Sequence, residues 1–316
     1  MKFRIVLSIL IVMITIEGYS QYEPFYSQYN NNFNLINPAY SGTHDFFTLT
    51  ANVRSQWVNE PGSPKTGSLT LHGGLGNNLG IGFSAVYDKV YVLNESHLYG
   101  DVSYAIRLND ESTLSFGLKT GGSFINVDLQ SLGITNDALF SSNINEFKFN
   151  MGAGVFFYTD KFYASFSTLN LLGNRYYTRE GSTVNSANES PIFYASSGYK
   201  FQAGDQIELK PSFLIRYANG EPMSTDLSLG ALYNKQIELG ISYRLNNSIA
   251  GLLQMRINDN TKIGYTYESY LTNTSQYLSG SHEISLTFDL GKGRYGYRYR
   301  NNKNKQEPPF YWGERL

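Results

Sequence analysis

Long segments of this sequence alternate between apolar and polar residues with a period of two. In "TLSFGLKTG", beginning at Thr113, three alternate positions hold leucine or phenylalanine, and "HEISLTFDL", beginning at His282, repeats the pattern. Period-two alternation with one apolar face is the signature of a β-strand. The pattern therefore predicts an all-β chain built from strands that have two chemically different faces.

Fourteen segments carry this pattern, and most are longer than the five or six residues typical of strands in soluble proteins. They span residues 46–56, 65–75, 80–90, 95–108, 112–127, 146–159, 162–172, 191–202, 206–218, 224–234, 236–244, 248–258, 261–271 and 281–290. Strands of about ten residues, tilted near 45°, cross the hydrocarbon core of a bilayer. The lengths therefore favour strands that span a membrane.

The connections between these segments alternate between tight turns and long loops. The tight set includes "GNN" at 76, "NDE" at 109 and "DN" at 259, whereas the long set includes residues 128–145 and 173–190. Transmembrane β-barrels have short periplasmic turns and longer external loops, and an even number of antiparallel strands closes without a free edge. We therefore expect a transmembrane antiparallel β-barrel of about 14 strands. Within the third external loop, over residues 128–145, "DLQSLGITNDALFSS" is compatible with a short helix or a plain loop.

Composition agrees with this architecture. The 316 residues include 26 Tyr, 20 Phe and 30 Gly, only 16% are charged, and there is no Cys. The lack of Cys excludes a disulfide framework and a lipid-modified N-terminal cysteine. Aromatic residues near strand ends are candidates for the interfacial girdles of a barrel, although ordinary sheet packing would also explain them. The candidates are Tyr87, Tyr99, Phe157, Tyr158, Tyr217, Tyr233 and Tyr243.

The chain begins with a typical secretory signal. Lys2 and Arg4 precede an apolar run from Ile5 to Ile16, and small residues follow before Gln21. This run is too short for a comfortable transmembrane helix, so residues 1–20 are interpreted as a signal peptide. The remaining organisation is a segment over 21–45 that is periplasmic or forms a plug, a barrel over 46–290 and a basic tail over 291–316.

Charge is unevenly distributed. The last 26 residues hold seven Lys or Arg against Glu307 and Glu314, although the formal charge of the whole chain is −1. A nucleic-acid binder would carry its positive charge on the folded domain, so this function class is excluded. The tail is either a solvated end or a docking segment for an acidic periplasmic protein or an anionic membrane surface.

The stretch "FYSQYNNNFNLINPAYSG", from Phe25 to Gly42, lacks apolar periodicity and precedes the first strand. One interpretation is a solvated lead-in with a turn at its end. The other is an ordered plug or docking edge. Taken with the tail, it gives the candidate partner-binding residues Tyr29, Phe33, Leu35, Pro38, Tyr40, Arg294, Arg298 and Arg300.

Catalytic and cofactor chemistry is not expected. The four His residues have no metal-ligand spacing. Ser96, His97 and Asp101 are the residue types of a catalytic group, but Ser96 and His97 are neighbours on one strand, so their side chains point to opposite faces and cannot easily act together. The glycine runs lead from strand to hairpin to strand, whereas a phosphate-binding loop leads into a helix. Glycine here favours sheet bending or close packing inside the lumen. We therefore predict no enzymatic activity, no metal and no cofactor.

Four stretches resemble, in order, the landmarks of the PorP/SprF family of outer-membrane proteins of gliding and type IX secreting bacteria. They are "FYSQYNNNFNLINPAYSGT", "ANVRSQW", "KFYASFSTLNL" and "SGSHEISLTF". The resemblance implies a barrel in the outer membrane of a Gram-negative bacterium, in contact with outer-membrane lipid and beside the type IX secretion machinery. It also implies that the barrel helps to export or anchor cell-surface proteins, such as gliding adhesins, that carry a C-terminal sorting domain. Because both termini of an even-stranded barrel lie on the periplasmic side, the basic tail adds periplasmic secretion-ring components as candidate partners.

A second function stays open from sequence. A porin-like or hydrophobic-solute transporter would have the same strand pattern, with an open lumen lined by inward charges. No conspicuous run of inward charge is evident in the sequence, which favours the secretion role.

Overall fold

The computed structural model describes residues 29, 32–44, 46–134, 137, 140–173, 190–271 and 279–291. Within these ranges the regular structure is almost entirely strand. Short 3-10 turns lie at Phe33–Leu35 and Pro38–Tyr40, before the first strand, and at Gln130–Leu132 in the long connection over residues 128–143. No helix in the described ranges has the length and apolar character needed to cross a membrane.

Fourteen strands form one sheet, as the alternation predicts. Their bounds are β1 Phe47–Ser55, β2 Lys65–Gly76, β3 Leu79–Val90, β4 Leu93–Arg107, β5 Thr113–Val127, β6 Ile144–Tyr158, β7 Phe162–Leu169, β8 Ile192–Tyr199, β9 Ile207–Ala218, β10 Ser224–Tyr233, β11 Ile237–Arg244, β12 Ser248–Asn258, β13 Thr261–Tyr270 and β14 Ser281–Leu290. A two-residue piece, Phe201–Gln202, continues β8 and pairs with the start of β9.

The sheet closes on itself. Each strand pairs antiparallel with the next, and β1 pairs with β14 from Phe47 opposite Leu290 to Ser55 opposite His282. Closure pairs the backbone groups of both terminal strands, which a spanning sheet in lipid requires. The predicted antiparallel barrel is confirmed.

The two faces of the wall have the polarity of a membrane barrel. In β1, Thr48, Thr50 and Asn52 face the lumen and are buried, whereas Val53 faces outward and is 65% exposed. Large apolar side chains on the other strands are likewise exposed on the outside. Outward-facing apolar residues and inward-facing polar residues indicate that lipid, not water, surrounds the wall.

The predicted aromatic girdle is partly wrong. Tyr87, Tyr217, Tyr233 and Tyr243 are exposed on the outer surface. Tyr158 is 2% exposed in an internal aromatic cluster, and Tyr99 faces the lumen, where Lys119 Nζ lies 5.6 Å from its ring centroid. Both have the strand phase of the inward residues, which proximity to a strand end does not reveal.

The two ends of the barrel differ in their connections. We call the end where β1 begins and β14 ends the termini end, and the opposite one the far end. Every connection at the termini end is short, and the longest loops, including residues 128–143, lie at the far end. The alternation is less regular than predicted, because residues 91–92 and 245–247 form far-end connections as short as the opposite turns.

Candidate functional site

The segment before β1 lies inside the barrel. We call its described part, residues 29 and 32–44, the plug. Tyr29, Phe33 and Tyr40 are at most 8% exposed, Pro38 is buried, and Leu35 is half-buried against the same cluster. These are the five N-terminal residues that the sequence singled out for partner binding. The structure brings them together in the lumen, and their role in partner binding stays a prediction.

Aromatic packing holds the plug to one side of the wall. The ring of Phe33 lies 5.2 Å from that of Tyr163 and 5.7 Å from that of Phe156, centroid to centroid, both in edge-to-face geometry. Tyr40 packs on Phe156 at 5.3 Å. Edge-to-face pairs at these distances are favourable beyond the area they bury. The plug therefore shares a small apolar core with β6 and β7.

Asn37 anchors the plug to the same two strands. Its Nδ2 donates to Ser165 Oγ at 2.8 Å and to the Val155 carbonyl oxygen at 3.0 Å, while its Oδ1 accepts from the Ala39 amide at 2.9 Å and caps the second 3-10 turn. The hydroxyl of Ser167 donates to the Ile36 carbonyl at 2.6 Å. An asparagine with this many partners is held in one orientation.

An ion pair between the adjacent strands β4 and β5 also anchors the plug. Lys119 Nζ lies 2.9 Å from Asp101 Oδ1, and both side chains are at most 4% exposed. Asn34 Nδ2 donates to Asp101 Oδ2 at 3.1 Å, and Lys119 Nζ donates to the Asn34 carbonyl oxygen at 3.2 Å. The plug thus provides hydrogen-bond partners for both members of a buried ion pair. A buried ion pair that lacks such partners destabilises the folded protein.

Glycines shape the wall around the plug. A Cβ at Gly117 would lie closer than 3.0 Å to backbone atoms of Pro38 and Ala39, and a Cβ at Gly154 would lie closer than 3.0 Å to side-chain atoms of Asn37. Gly80 faces Gly42 with the same lack of space. Because the neighbouring atoms at Gly80 and Gly117 are backbone, they cannot rotate away. These glycines form a seat, which matches the close lumen packing predicted for the glycine runs.

Charged residues line the lumen, contrary to the impression given by the sequence. At the far end, Arg54 lies 2.5 Å from Glu268 and 3.1 Å from Glu283, and Arg244 lies 2.7 Å from Asp226 and 3.2 Å from Glu268. All five side chains are at most 8% exposed. We call this group the arginine network.

Further ion pairs continue around the lumen. Lys210 lies 2.9 Å from Glu238, and Lys148 lies 2.6 Å from Glu146. Each Lys and Arg named in these groups lies beside at least one carboxylate, unlike the single-sign linings that focus ions in selective channels.

One serine and histidine approach each other in the lumen wall. His97 Nδ1 lies 2.6 Å from Ser123 Oγ, and His97 Nε2 lies 3.6 Å from Glu95 Oε2. Ser96 and His97 point to opposite faces, as predicted, with Ser96 outward, and Asp101 pairs with Lys119. Sequence reasoning missed Ser123, because β4 and β5 must first be placed in register. Among the described residues, no group of three or more His, Asp or Glu could hold a metal ion.

The family of this chain follows from its match to a protein-family model. The family model described as "Type IX secretion system membrane protein PorP/SprF" matches residues 18–288, which covers the plug and nearly the whole barrel. The chain belongs to the PorP/SprF family. The resemblance seen in the sequence is confirmed, and with it an outer-membrane barrel of a type IX secretion family.

Solved structures similar to this PorP/SprF protein are outer-membrane barrels. One is the CymD monoaromatic hydrocarbon channel, with 13% identity and a TM-score of 0.51, covering 86% of this chain and 95% of that one. Another is the toluene transporter TbuX of Ralstonia pickettii, with 11% identity and a TM-score of 0.48, covering 81% and 92%. No curated protein matches this PorP/SprF protein by sequence. At such low identity the structural likeness concerns the fold alone.

Arg294, Arg298 and Arg300, the candidate residues in the tail of this PorP/SprF protein, lie outside the described residues, as does the predicted signal peptide.

Proposed function

We propose that this protein is a non-catalytic outer-membrane component of type IX secretion that helps to export or anchor cell-surface proteins, such as gliding adhesins, through their C-terminal sorting domain. Membership of the PorP/SprF family supports a role beside the secretion machinery. The proposal assigns no metal and no cofactor to that role.

The observation that carries the proposal is the fit between plug and wall. Asn37 and Asn34 fill hydrogen-bonding positions of the lumen, and Gly117 and Gly154 leave room for the plug backbone and for Asn37. A wall shaped around an internal segment suits a barrel that works as a scaffold for other proteins. A conducting pore would need a path past that segment or its displacement.

The proposal includes an orientation. Short turns face the periplasm and long loops face outward in bacterial barrels. The termini end therefore faces the periplasm, where the basic tail meets secretion-ring components, and the far end presents its long loops to cargo at the cell surface.

The transporter alternative retains one supporting observation, the aromatic cluster around Phe156 and Tyr163, which would suit an apolar solute once the plug had left. In the plugged state Phe33 and Tyr40 occupy that cluster. The two functions therefore differ in whether the plug must move.

Deletion of the gene tests the proposal. Proteins with C-terminal sorting domains should be lost from the surface, measured by protease shaving and mass spectrometry, and restored by the wild-type gene. Uptake of small apolar and polar solutes should be unchanged. An unaltered surface proteome together with a lost solute flux would favour the transporter.

A further inference from the structure

A row of polar side chains crosses the outer surface of the barrel at the far end. Lys65 on β2 lies opposite Lys89 on β3, Lys89 opposite Asn94 on β4, Asn94 opposite Asn126 on β5, and Asn126 opposite Asn145 on β6. All five have the outward strand phase, and Lys65, Lys89 and Asn145 are exposed. The row is continuous over five strands.

The row marks the edge of the lipid-facing belt. Moving from it toward the middle of the barrel, the next outward positions on the last two strands are Phe124 and Phe147, which are 52% and 54% exposed with ring centroids 4.8 Å apart. Further along, Leu69 and Leu98 are 43% exposed. The lysines therefore lie at the depth of lipid headgroups, where amphipathic and cationic side chains concentrate.

Lys65 and Lys89 form a like-charged pair directly across two strands. Such pairs destabilise a sheet unless an opposite charge lies nearby. Among the described residues neither lysine forms a salt bridge, and the acids on the adjacent strand positions, Asp88 and Glu95, are buried on the lumen face. The pair consequently offers two cationic groups to an anion on the lipid side.

Neighbouring side chains are fixed around this pair. Tyr87 OH donates to Asn94 Oδ1 at 3.0 Å, Asn94 Nδ2 donates to Asn126 Oδ1 at 3.3 Å, and Asn126 Nδ2 donates to Asn145 Oδ1 at 2.7 Å. The donors all point the same way along the row. This ladder holds Tyr87 and Asn94 beside Lys89, so the surface next to the lysines is ordered.

An open space lies directly below the lysines. Gly67 is the next outward residue on β2, and a Cβ built on it would meet no atom within 4 Å. Its cross-strand neighbours are Val53 on one side and Tyr87 on the other, which are 65% and 48% exposed. The position is a shallow apolar slot with the two ammonium groups at its outer end.

We propose that Lys65 and Lys89 bind the phosphate groups of a lipopolysaccharide molecule in the outer leaflet, with one of its acyl chains lying over Gly67. Two adjacent ammonium groups match the charge of a phosphorylated sugar headgroup, and the slot matches the chain below it. The site rests on the membrane location and on the orientation proposed above, and not on the secretion role. Its failure would leave the surface-proteome experiment unaffected.

Native mass spectrometry of the detergent-purified full-length protein tests the site with defined lipids. The probe is bisphosphorylated lipid A, compared with dephosphorylated lipid A and with phosphatidylglycerol. The wild type should retain bisphosphorylated lipid A at least tenfold better than either comparison lipid. The double variant Lys65→Gln/Lys89→Gln should lose that preference, since it removes both cationic groups that would face the anionic headgroup.

Lys161→Gln is the matched control, because Lys161 is an exposed lysine in a turn at the termini end. It should bind lipid A like the wild type, and all variants should keep heat-modifiable migration, since the exchanged side chains are exposed. Equal retention by the double variant would overturn the proposal. Equal retention of dephosphorylated lipid A would do so as well, and a preference for phosphatidylglycerol would reject lipopolysaccharide as the ligand.

Discussion

Asn37 of the plug occupies the space that a side chain at Gly154 would need. A Cβ at position 154 would approach the Asn37 side-chain oxygen to less than 3.0 Å. Nδ2 of the same asparagine donates to Oγ of Ser165, on the neighbouring strand β7, at 2.8 Å. Position 154 therefore has room only for glycine while Asn37 keeps its hydrogen bonds, and a substitution at either residue affects the other.

The first prediction follows from this contact. Gly154→Val should displace the plug from its seat, because overpacking a filled site costs about 1–3 kcal/mol. The chain has no Cys, so a single cysteine at Ser41, which is 0% exposed, reports plug release through its rate of thiol labelling. The rate should rise about tenfold or more.

Gly251→Val is the control for this variant. Gly251 also lies in a strand but faces outward, and a Cβ there would meet no atom within 4 Å. It should leave labelling of the Ser41→Cys protein unchanged. Equal labelling rates in the two valine variants would show that the seat does not hold the plug.

The second prediction concerns the ion pair beneath Asn34. Lys119→Met should destabilise the barrel by about 3–5 kcal/mol, because it leaves the buried carboxylate of Asp101 without its cation. The double variant Lys119→Met/Asp101→Leu should regain most of that loss. Urea titration of gel migration and intrinsic fluorescence measures both, and a double variant no better than the single one would contradict this account.

The third prediction is topological. A cysteine at Asp110, which lies in a termini-end turn, should resist an impermeant thiol reagent on intact cells, and a cysteine at Ser131 in the third far-end connection should react. Both should react after the outer membrane is permeabilised. Labelling of the Asp110 position alone on intact cells would reverse the orientation, and would move the lysine row to the inner leaflet.

The fourth prediction concerns the tail. Removing residues 291–316 should leave heat-modifiable migration intact, because β14 still pairs with β1 over its full length. Co-purification of periplasmic partners should weaken, and in the full-length protein it should fall as salt rises, since exposed charges are screened over about 8 Å at physiological ionic strength. A truncated protein that fails to assemble would place the tail in the fold, and one that keeps every partner would make it a solvated end.

The fifth prediction tests the absence of catalysis proposed above. A fluorophosphonate probe should not label Ser123. The hydroxyl faces Nδ1 of His97, and Glu95, two residues before that histidine on the same strand, is 3.6 Å from the other ring nitrogen, beyond hydrogen-bonding distance. Labelling that is lost in Ser123→Ala would establish a reactive serine and refute the proposal.

The strands could be predicted from the sequence because the residue pattern that identifies a strand is local. The predicted bounds of the segment at Ser248 and of the one at Ser281 coincide with the observed strands. Turn residues and period-two alternation act over a few neighbours, so each strand can be recognised alone.

Lumen chemistry could not be predicted in the same way. Arg54 meets Glu268, a partner 214 residues away, only because β1 pairs with β14 and β14 with β13. Likewise, the seat glycines looked like bending points or packing positions until the plug was placed against them. Such contacts depend on register across several strands, which no local pattern contains.

The position of the plug has a consequence for biogenesis. It leads directly into β1, yet its contacts are with strands as far along the chain as β9, where Tyr29 meets Ser212 at 3.3 Å. The pairing of β1 with β14 joins the most distant parts of the barrel and is the step that seals its circumference. The seat of the plug is therefore complete only after the wall has been assembled as far as β9, so a segment made at the start of the chain has to wait for strands made much later.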